Sequence, residues 1–193
     1  MVQFLEHRVR REKSMIKVRH EILDRTFHDL QSHPTPSLER LVEGLASLDG
    51  DVREESRKSL VAHGTAAIKP LIALLPSADA QTRWEVVKAL GQIHHPDAAP
   101  ALASCLADEH RDVRWVAAES LITIGHDALE PVLEELIAHA DSIWVRKEAS
   151  HILHALGGET PALAPVIKAL AGMAPLFEVP VAAFDALKGL RDR

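Results

Sequence analysis

The amino-acid sequence predicts an all-α protein, a right-handed solenoid of about five two-helix repeats with an N-terminal capping helix. The repeat marker is an arginine that recurs after 30, 31 and 32 residues, at Arg53, Arg83, Arg114 and Arg146. Seven residues after each marker stands a large aliphatic residue, namely Leu60, Leu90, Leu121 and Leu153. A fixed period of this length indicates a stack of identical supersecondary units. Segments after Ser37 follow a 3.6-residue period, which is typical of helices, and none alternates as a strand would.

Two regions are expected, an amphipathic capping helix over 1–33 and the repeat solenoid over 34–193. The apolar residues of the first region fall at sums of three- and four-residue steps, which places them on one stripe. They are Leu5, Val9, Ile16, Leu23, Phe27 and Leu30. A coiled-coil or partner-binding role for this helix stays open beside the capping role. Pro34 and Pro36 end it, and Ser37 can cap the next helix.

The solenoid is predicted to repeat a first helix, a short turn and a second helix. Four prolines in phase with the arginines each lie in a first helix, namely Pro70, Pro100, Pro131 and Pro165. A proline in the first turn of a helix has no backbone hydrogen bond to lose, whereas one deeper inside bends the helix axis, and both roles stay open. A fifth copy runs from Val179 to Leu187, with Pro180 in the position of the arginine. Second helices are expected to end in left-handed residues near three glycines, which are Gly91, Gly125 and Gly157.

This register, a proline-bearing first helix, an acidic turn and then Val-Arg-x-x-Ala-x-x-x-Leu, resembles the HEAT repeat. It is most similar to the short bacterial variety first named from phycobilisome lyases. The copies begin at 51–53, 81–83, 112–114 and 144–146, and the resemblance covers residues 38–190. It implies a ladder in which turn aspartates pair with the four arginines of neighbouring repeats, so we assign those arginines a structural role. The family includes scaffolds, adaptors, lyases and DNA glycosylases, so the resemblance does not specify a function.

Composition favours a cytoplasmic protein that does not coat nucleic acid. The formal net charge is −6, which argues against a nucleic-acid-binding function. The single Cys105 excludes an internal disulfide framework and fits a reducing compartment. No run approaches the roughly 18 apolar residues of a membrane span. The charged first residues do not form the apolar core of a signal peptide.

The tryptophans suggest a binding surface. Trp115 lies about 200° around its helix from Val113, which is a predicted core residue. Trp84 occupies the same column one repeat earlier, with Lys88 in the place of Glu119. The outer side of the second helices lines the concave surface of a solenoid, and tryptophan is enriched at binding hot spots. The alternative is that both tryptophans fill gaps between neighbouring helices.

We therefore predict an interaction scaffold or adaptor that binds a protein or peptide in its concave groove. Mixed charge along the groove suits such a ligand better than a phosphate backbone. The predicted binding residues are Trp84, Lys88, Trp115, Glu119, Lys147, Glu148 and His151. Trp144, at a helix start, is expected to be a packing residue.

Two other functions are weighed against binding. Glu148, His151 and His154 follow at three-residue steps and could converge on a metal, but they lack a fourth ligand, so no metal or cofactor is expected.

An enzyme is the alternative from a different class, either a helical-repeat DNA glycosylase for alkylated bases or a bilin lyase-like subunit. Trp115, Glu119 and Arg146 loosely match the tryptophan, acid and arginine of such glycosylases. No surrounding motif supports that match, and we assign no catalytic residue.

Overall fold

The computed structural model describes residues 36–156 and 160–192, so the predicted helix over 1–33 lies outside the described residues. The described helices follow one another in pairs, and no residue of this part of the chain is in a strand. Their bounds are α1 (Leu38–Gly44), α2 (Gly50–Ala62), α3 (Ile68–Leu74), α4 (Ala80–Ile93), α5 (Ala99–Ser104), α6 (Arg111–Ile124), α7 (Leu129–Ala138), α8 (Ile143–Leu156), α9 (Ala164–Leu170) and α10 (Pro175–Arg191).

The first four pairs stack as repeats. The second helices α4, α6 and α8 each pack against the second helix of the preceding pair, which makes one continuous layer. First helices form the other layer, in which α1 contacts α3 and α5 contacts α7. Each pair is closed by contacts between its own two helices. The predicted all-α solenoid is confirmed.

Three buried columns run through the second helices at positions i, i+4 and i+8. The twelve residues concerned are Thr82, Val86 and Leu90 in α4, Val113, Ala117 and Leu121 in α6, Val145, Ala149 and Leu153 in α8, and Val179, Ala183 and Leu187 in α10. Steps of four residues keep side chains on one helix face, so these columns form the core between the two layers. In the first repeat Ser56 and Leu60 are buried, but Val52 is exposed.

The in-phase prolines occupy the first turns of their helices, which is one of the two positions that the sequence left open. Pro100 and Pro165 are the second residues of α5 and α9, and Pro70 and Pro131 are the third residues of α3 and α7. A 3₁₀ turn precedes each of these helices, at Gly64–Ala67, Pro96–Ala98, Gly125–Ala128 and Pro161–Leu163. The missing N–H therefore falls where a helix has unpaired donors anyway, and the prolines do not interrupt the stack.

Gly91 lies near the end of its helix, as predicted, but it is not the left-handed residue that ends the helix. Helix α4 continues to Ile93, and the left-handed residue is His94, with φ 53° and ψ 47°. A Cβ atom at Gly91 would lie 2.0 Å from Oγ and 2.8 Å from Cβ of Ser120 on α6. Glycine is required here because α4 and α6 approach closely. Gly125 follows α6 with a φ of 84°, and Gly157 lies outside the described residues.

We expect Gly91→Ala to destabilise the protein by about 1–3 kcal/mol, because the new methyl group overpacks the contact between α4 and α6. Denaturant unfolding measures the change. The matched control is Gly189→Ala in α10, where the nearest atom to an added Cβ is 3.9 Å away. That variant should be neutral or more stable by up to about 1 kcal/mol, because alanine has the higher helix propensity. Equal effects at both glycines would contradict this explanation.

The fifth pair departs from the regular stack. Helix α10 packs against α7, a first helix, while α9 contacts α8, a second helix. In the last pair, the second helix therefore packs on the layer of first helices, and the first helix packs on the layer of second helices. Arg191 pairs with Glu130 and with Glu134 on α7, the latter at 2.7 Å from Nη2. The fifth copy of the sequence pattern, from Val179 to Leu187, therefore keeps the spacing of the core residues, but its helix does not stack in the same order as the other second helices.

Within the described residues, no helix has both the length and the apolar character that crossing a membrane requires.

Candidate partner-binding surface

Each of the four repeat arginines holds the loop that precedes its own helix. In every case Nη1 donates to a backbone carbonyl five or six residues earlier. The acceptors are Ser47 for Arg53 (2.7 Å), Ala78 for Arg83 (2.9 Å), Asp108 for Arg114 (2.7 Å) and Ala140 for Arg146. A charged donor strengthens such a bond, so the arginine fixes the turn between the two helices. In the fifth repeat Pro180 cannot make this contact.

The ladder of aspartate–arginine pairs is less regular than the resemblance implied. Arg83 forms the expected link to the next repeat, with Nε 2.6 Å from Oδ2 and Nη2 3.0 Å from Oδ1 of Asp108. Burial alone would raise the pKa of Asp108, but hydrogen bonds from Arg83 and the His110 amide outweigh it, so the pKa lies below its usual value. Arg53 instead lies 3.5 Å from Glu85, a helix residue. The acidic residue that links one repeat to the next therefore differs between repeats, and it lies in a loop in one case and on a helix in the other.

A buried ion pair joins the first two repeats. Arg57 Nε lies 3.0 Å from Glu85 Oε2, and Arg57 Nη1 donates to Gln92 Oε1 at 2.9 Å. Both charged side chains are buried, at 10% and 7% exposure. The sequence prediction did not include this pair, since its members are 28 residues apart and belong to no motif.

Trp115 is held in place on the outward face of α6. Its residue exposure is 50%, which is high for so large an apolar side chain. The His151 ring from α8 stacks on it, with ring centroids 5.4 Å apart and planes at 19°. His151 Nε2 in turn lies 2.9 Å from Glu119 Oε1 on α6. Three of the predicted binding residues therefore form one cluster that bridges the third and fourth repeats.

Trp84 is less exposed than Trp115 and packs partly against the core. The Lys88 ammonium lies 4.3 Å from the centre of its ring, in a cation–π arrangement. Trp84 also lines a cavity of about 230 Å³ between the N-terminal ends of α4 and α6, together with Gln81 and Val113. The two tryptophans share a column, as predicted, but Trp84 combines packing with partial exposure.

Trp144 is half exposed and belongs to the same outward face, where the sequence predicted a packing residue. It stands seven residues before His151 on α8, and this spacing places both on one stripe. The Arg114 guanidinium lies 4.3 Å from the centre of its ring, so one face of Trp144 covers a buried arginine. The seven-residue spacing between Trp144 and His151 was the signal that could have placed Trp144 on this outward face. We call Lys88, Trp115, Glu119, Trp144, Lys147 and His151 the second-helix surface.

Glu148 does not belong to this surface, because it is buried, whereas Lys147 is exposed. One residue turns the helix by about 100°, so neighbouring positions differ in whether they are covered. The proposed convergence with His151 and His154 is therefore absent, and His154 Nδ1 lies 2.7 Å from its own helix carbonyl at Ser150. Across residues 36–156 and 160–192 no three His, Cys, Asp or Glu side chains cluster in a way that could hold a metal ion.

The stacked two-helix units, with a shared core register and a repeated arginine contact, define a helical-repeat solenoid. The family model of HEAT repeats matches the chain at residues 38–122 and 104–188. The chain belongs to the HEAT repeat family, and the resemblance to that family is confirmed. HEAT repeats commonly mediate protein–protein interaction. The similarity to the short bacterial variety stays a prediction. No match is found among the curated proteins.

Proposed function

We propose that the protein is an interaction module that binds a protein or peptide partner across the second-helix surface, with Trp115 as the principal contact. The observation that carries the proposal is the Trp115 cluster. A half-exposed indole stacks on His151, and Glu119 holds that histidine by a 2.9 Å contact. A side chain ordered before binding loses less conformational entropy when the partner arrives.

The exposed part of Trp115 is large enough to act as a hot spot. A tryptophan can bury roughly 150–250 Å², so half exposure leaves about 100 Å² available. Covering that area is worth about 2.5 kcal/mol at the usual coefficient for apolar burial. This value exceeds the threshold of about 2 kcal/mol that marks hot spots in interfaces, where tryptophan is among the most enriched residues.

The charges on α2 and α4, the second helices of the first two repeats, favour a polypeptide ligand. Glu54 and Lys58 pair at 2.7 Å on α2, and Lys88 lies over Trp84 on α4. An open groove of about 510 Å³ lies on the surface where these two helices pack together and is lined by acidic, basic and apolar side chains. Glu54 pairs with Lys58 and Glu85 pairs with Arg57, so the groove is not the continuous basic track that a phosphate backbone needs. Mixed charge of this kind suits a partner that carries both signs.

We propose a binding role and no catalytic one. In the glycosylase-like alternative an acid and an arginine would act beside the tryptophan. Here Glu119 contacts His151, and Arg146 holds the loop before α8. A bilin lyase-like role has no observation in its favour. An excised-base assay with alkylated DNA tests the glycosylase directly, and release of base that Glu119→Gln abolishes would replace the binding proposal.

We expect Trp115→Ala to weaken partner binding by about 2 kcal/mol or more, roughly 30-fold in Kd, because it removes the ordered apolar contact. Proteins that the unmodified chain captures from a cell extract are identified, and the affinity of each for the unmodified chain and for Trp115→Ala is then measured by calorimetry. The melting temperature should change little, since an exposed side chain contributes little burial.

The control is Leu48→Ala, which truncates a fully exposed apolar side chain in the loop between α1 and α2. This variant should bind like the unmodified protein. The proposal fails if each captured partner binds Trp115→Ala as tightly as the unmodified chain. It also fails if the variant loses several kcal/mol of stability, because Trp115 would then be a packing residue.

A further inference from the structure

Helix α10 carries an exposed apolar stripe on the face opposite to the core. Phe177, Val181 and Phe184 are 79%, 63% and 60% exposed, and their spacing of four and three residues places them on one face. The opposite face of the helix is buried through Val179 and Ala183. The helix is therefore apolar on both sides, although the repeats cover only one.

Two neighbouring residues extend the stripe toward the start of the helix. Met173 is fully exposed just before α10, and Leu176 is half exposed in its first turn. With about 200 Å² for each aromatic side chain, the five residues expose on the order of 600 Å² of apolar area. That area is at the upper end of the largest patch on a typical monomer.

A helix that packs on a solenoid with one face ordinarily has a polar outer face, because that face is in contact with water. The outer face of α10 departs from that rule. Since α10 lies on α7 instead of α8, this stripe is also on a different side of the protein from the second-helix surface. A surface of this kind requires its own cover.

We propose that a second copy of the chain covers it, and that two α10 helices pack antiparallel around a two-fold axis at Val181. A two-fold interface requires one patch to be complementary to itself. The stripe meets this condition, because it has an aromatic residue on each side of Val181. In the antiparallel arrangement Phe177 of one copy packs on Phe184 of the other.

The size and border of the stripe fit such an interface. Two copies would bury on the order of 1,200 Å², which is the lower end of the range for stable specific interfaces. Glu178 and Asp185 follow one edge of the stripe, and Lys188 stands in line beyond Phe184. All three are exposed, so charged groups border the apolar stripe and do not interrupt it. This arrangement of an apolar centre with a polar rim is typical of protein–protein interfaces.

Sedimentation velocity on the full chain tests the proposal. We expect a dimer at concentrations up to about 100 µM, and Val181→Asp should weaken it by at least about 100-fold by placing two carboxylates together on the axis. The control Leu48→Asp adds the same charge to an exposed apolar position on the α1–α2 loop and should leave the dimer intact. A monomeric unmodified protein overturns the proposal, as does a dimer that Val181→Asp leaves unchanged.

Disulfide trapping tests the geometry. The native Cys105 is buried, and burial raises the pKa of its thiol to about 12, so it does not compete for oxidation. Val181→Cys places two thiols on the two-fold axis and should give a covalent dimer on mild oxidation, because a disulfide requires Cα atoms within about 7 Å. Lys147→Cys, on the second-helix surface, should stay monomeric on denaturing gels. Equal cross-linking of the two variants, or none at Val181→Cys, would exclude the antiparallel dimer.

Discussion

Leu121→Ala is expected to lower the free energy of unfolding by about 2–5 kcal/mol. Leu121 has no exposed surface and lies in α6, which packs against α4, α5 and α8. Truncation removes buried apolar area and leaves a cavity, because the helices of neighbouring repeats cannot all close in. Thermal unfolding should show a melting temperature lower by on the order of 10 °C for a chain of this size.

Thr123→Ala is the matched control for that substitution. Thr123 is two residues further along α6, is exposed and donates its hydroxyl to carbonyls of its own helix. Its loss should change stability by less than about 0.5 kcal/mol. A melting temperature that Leu121→Ala leaves unaltered would show that the core register is wrong.

Glu85→Ala should destabilise the protein by about 3–5 kcal/mol, the usual cost of removing one partner from a buried ion pair. Glu85 lies 3.0 Å from Arg57 and 3.5 Å from Arg53, and its side chain is 7% exposed. Without the carboxylate, the buried Arg57 guanidinium keeps its hydrogen bond to Gln92 but loses its counter-charge in a poorly solvated position. Denaturant unfolding measures the loss.

Glu54→Ala is the corresponding surface control. Glu54 pairs with Lys58 at 2.7 Å, but their side chains are 53% and 60% exposed, so the expected change is at most about 1 kcal/mol.

Both members of the buried Arg57–Glu85 pair can also be replaced together. Arg57→Met together with Glu85→Met should cost less than Glu85→Ala alone, because no buried charge is left without its partner. A Glu85→Ala variant as stable as Glu54→Ala would refute a buried ion pair between α2 and α4.

The sequence by itself determined the features that belong to one helix at a time. The period of the arginines and prolines predicted the helix pairs, and the steps from Val113 to Ala117 and Leu121 predicted the core face. The angle between Val113 and Trp115 then placed that tryptophan outside, since 3.6 residues complete one turn of any α-helix. The outward placement of Trp115 was predictable for this reason.

Only the tertiary structure decided which residues of different helices meet. His151 stacks on Trp115 from 36 positions away, and Glu148, one turn from it in the chain, is buried instead. The contact of Gly91 with Ser120 and the placement of α10 on α7 were likewise not predicted. A periodic pattern records which face of a helix is covered, because burial depends on direction around its axis. It does not record the distance or angle at which the next helix packs, or which helix packs there, since these depend on how whole helix surfaces fit together.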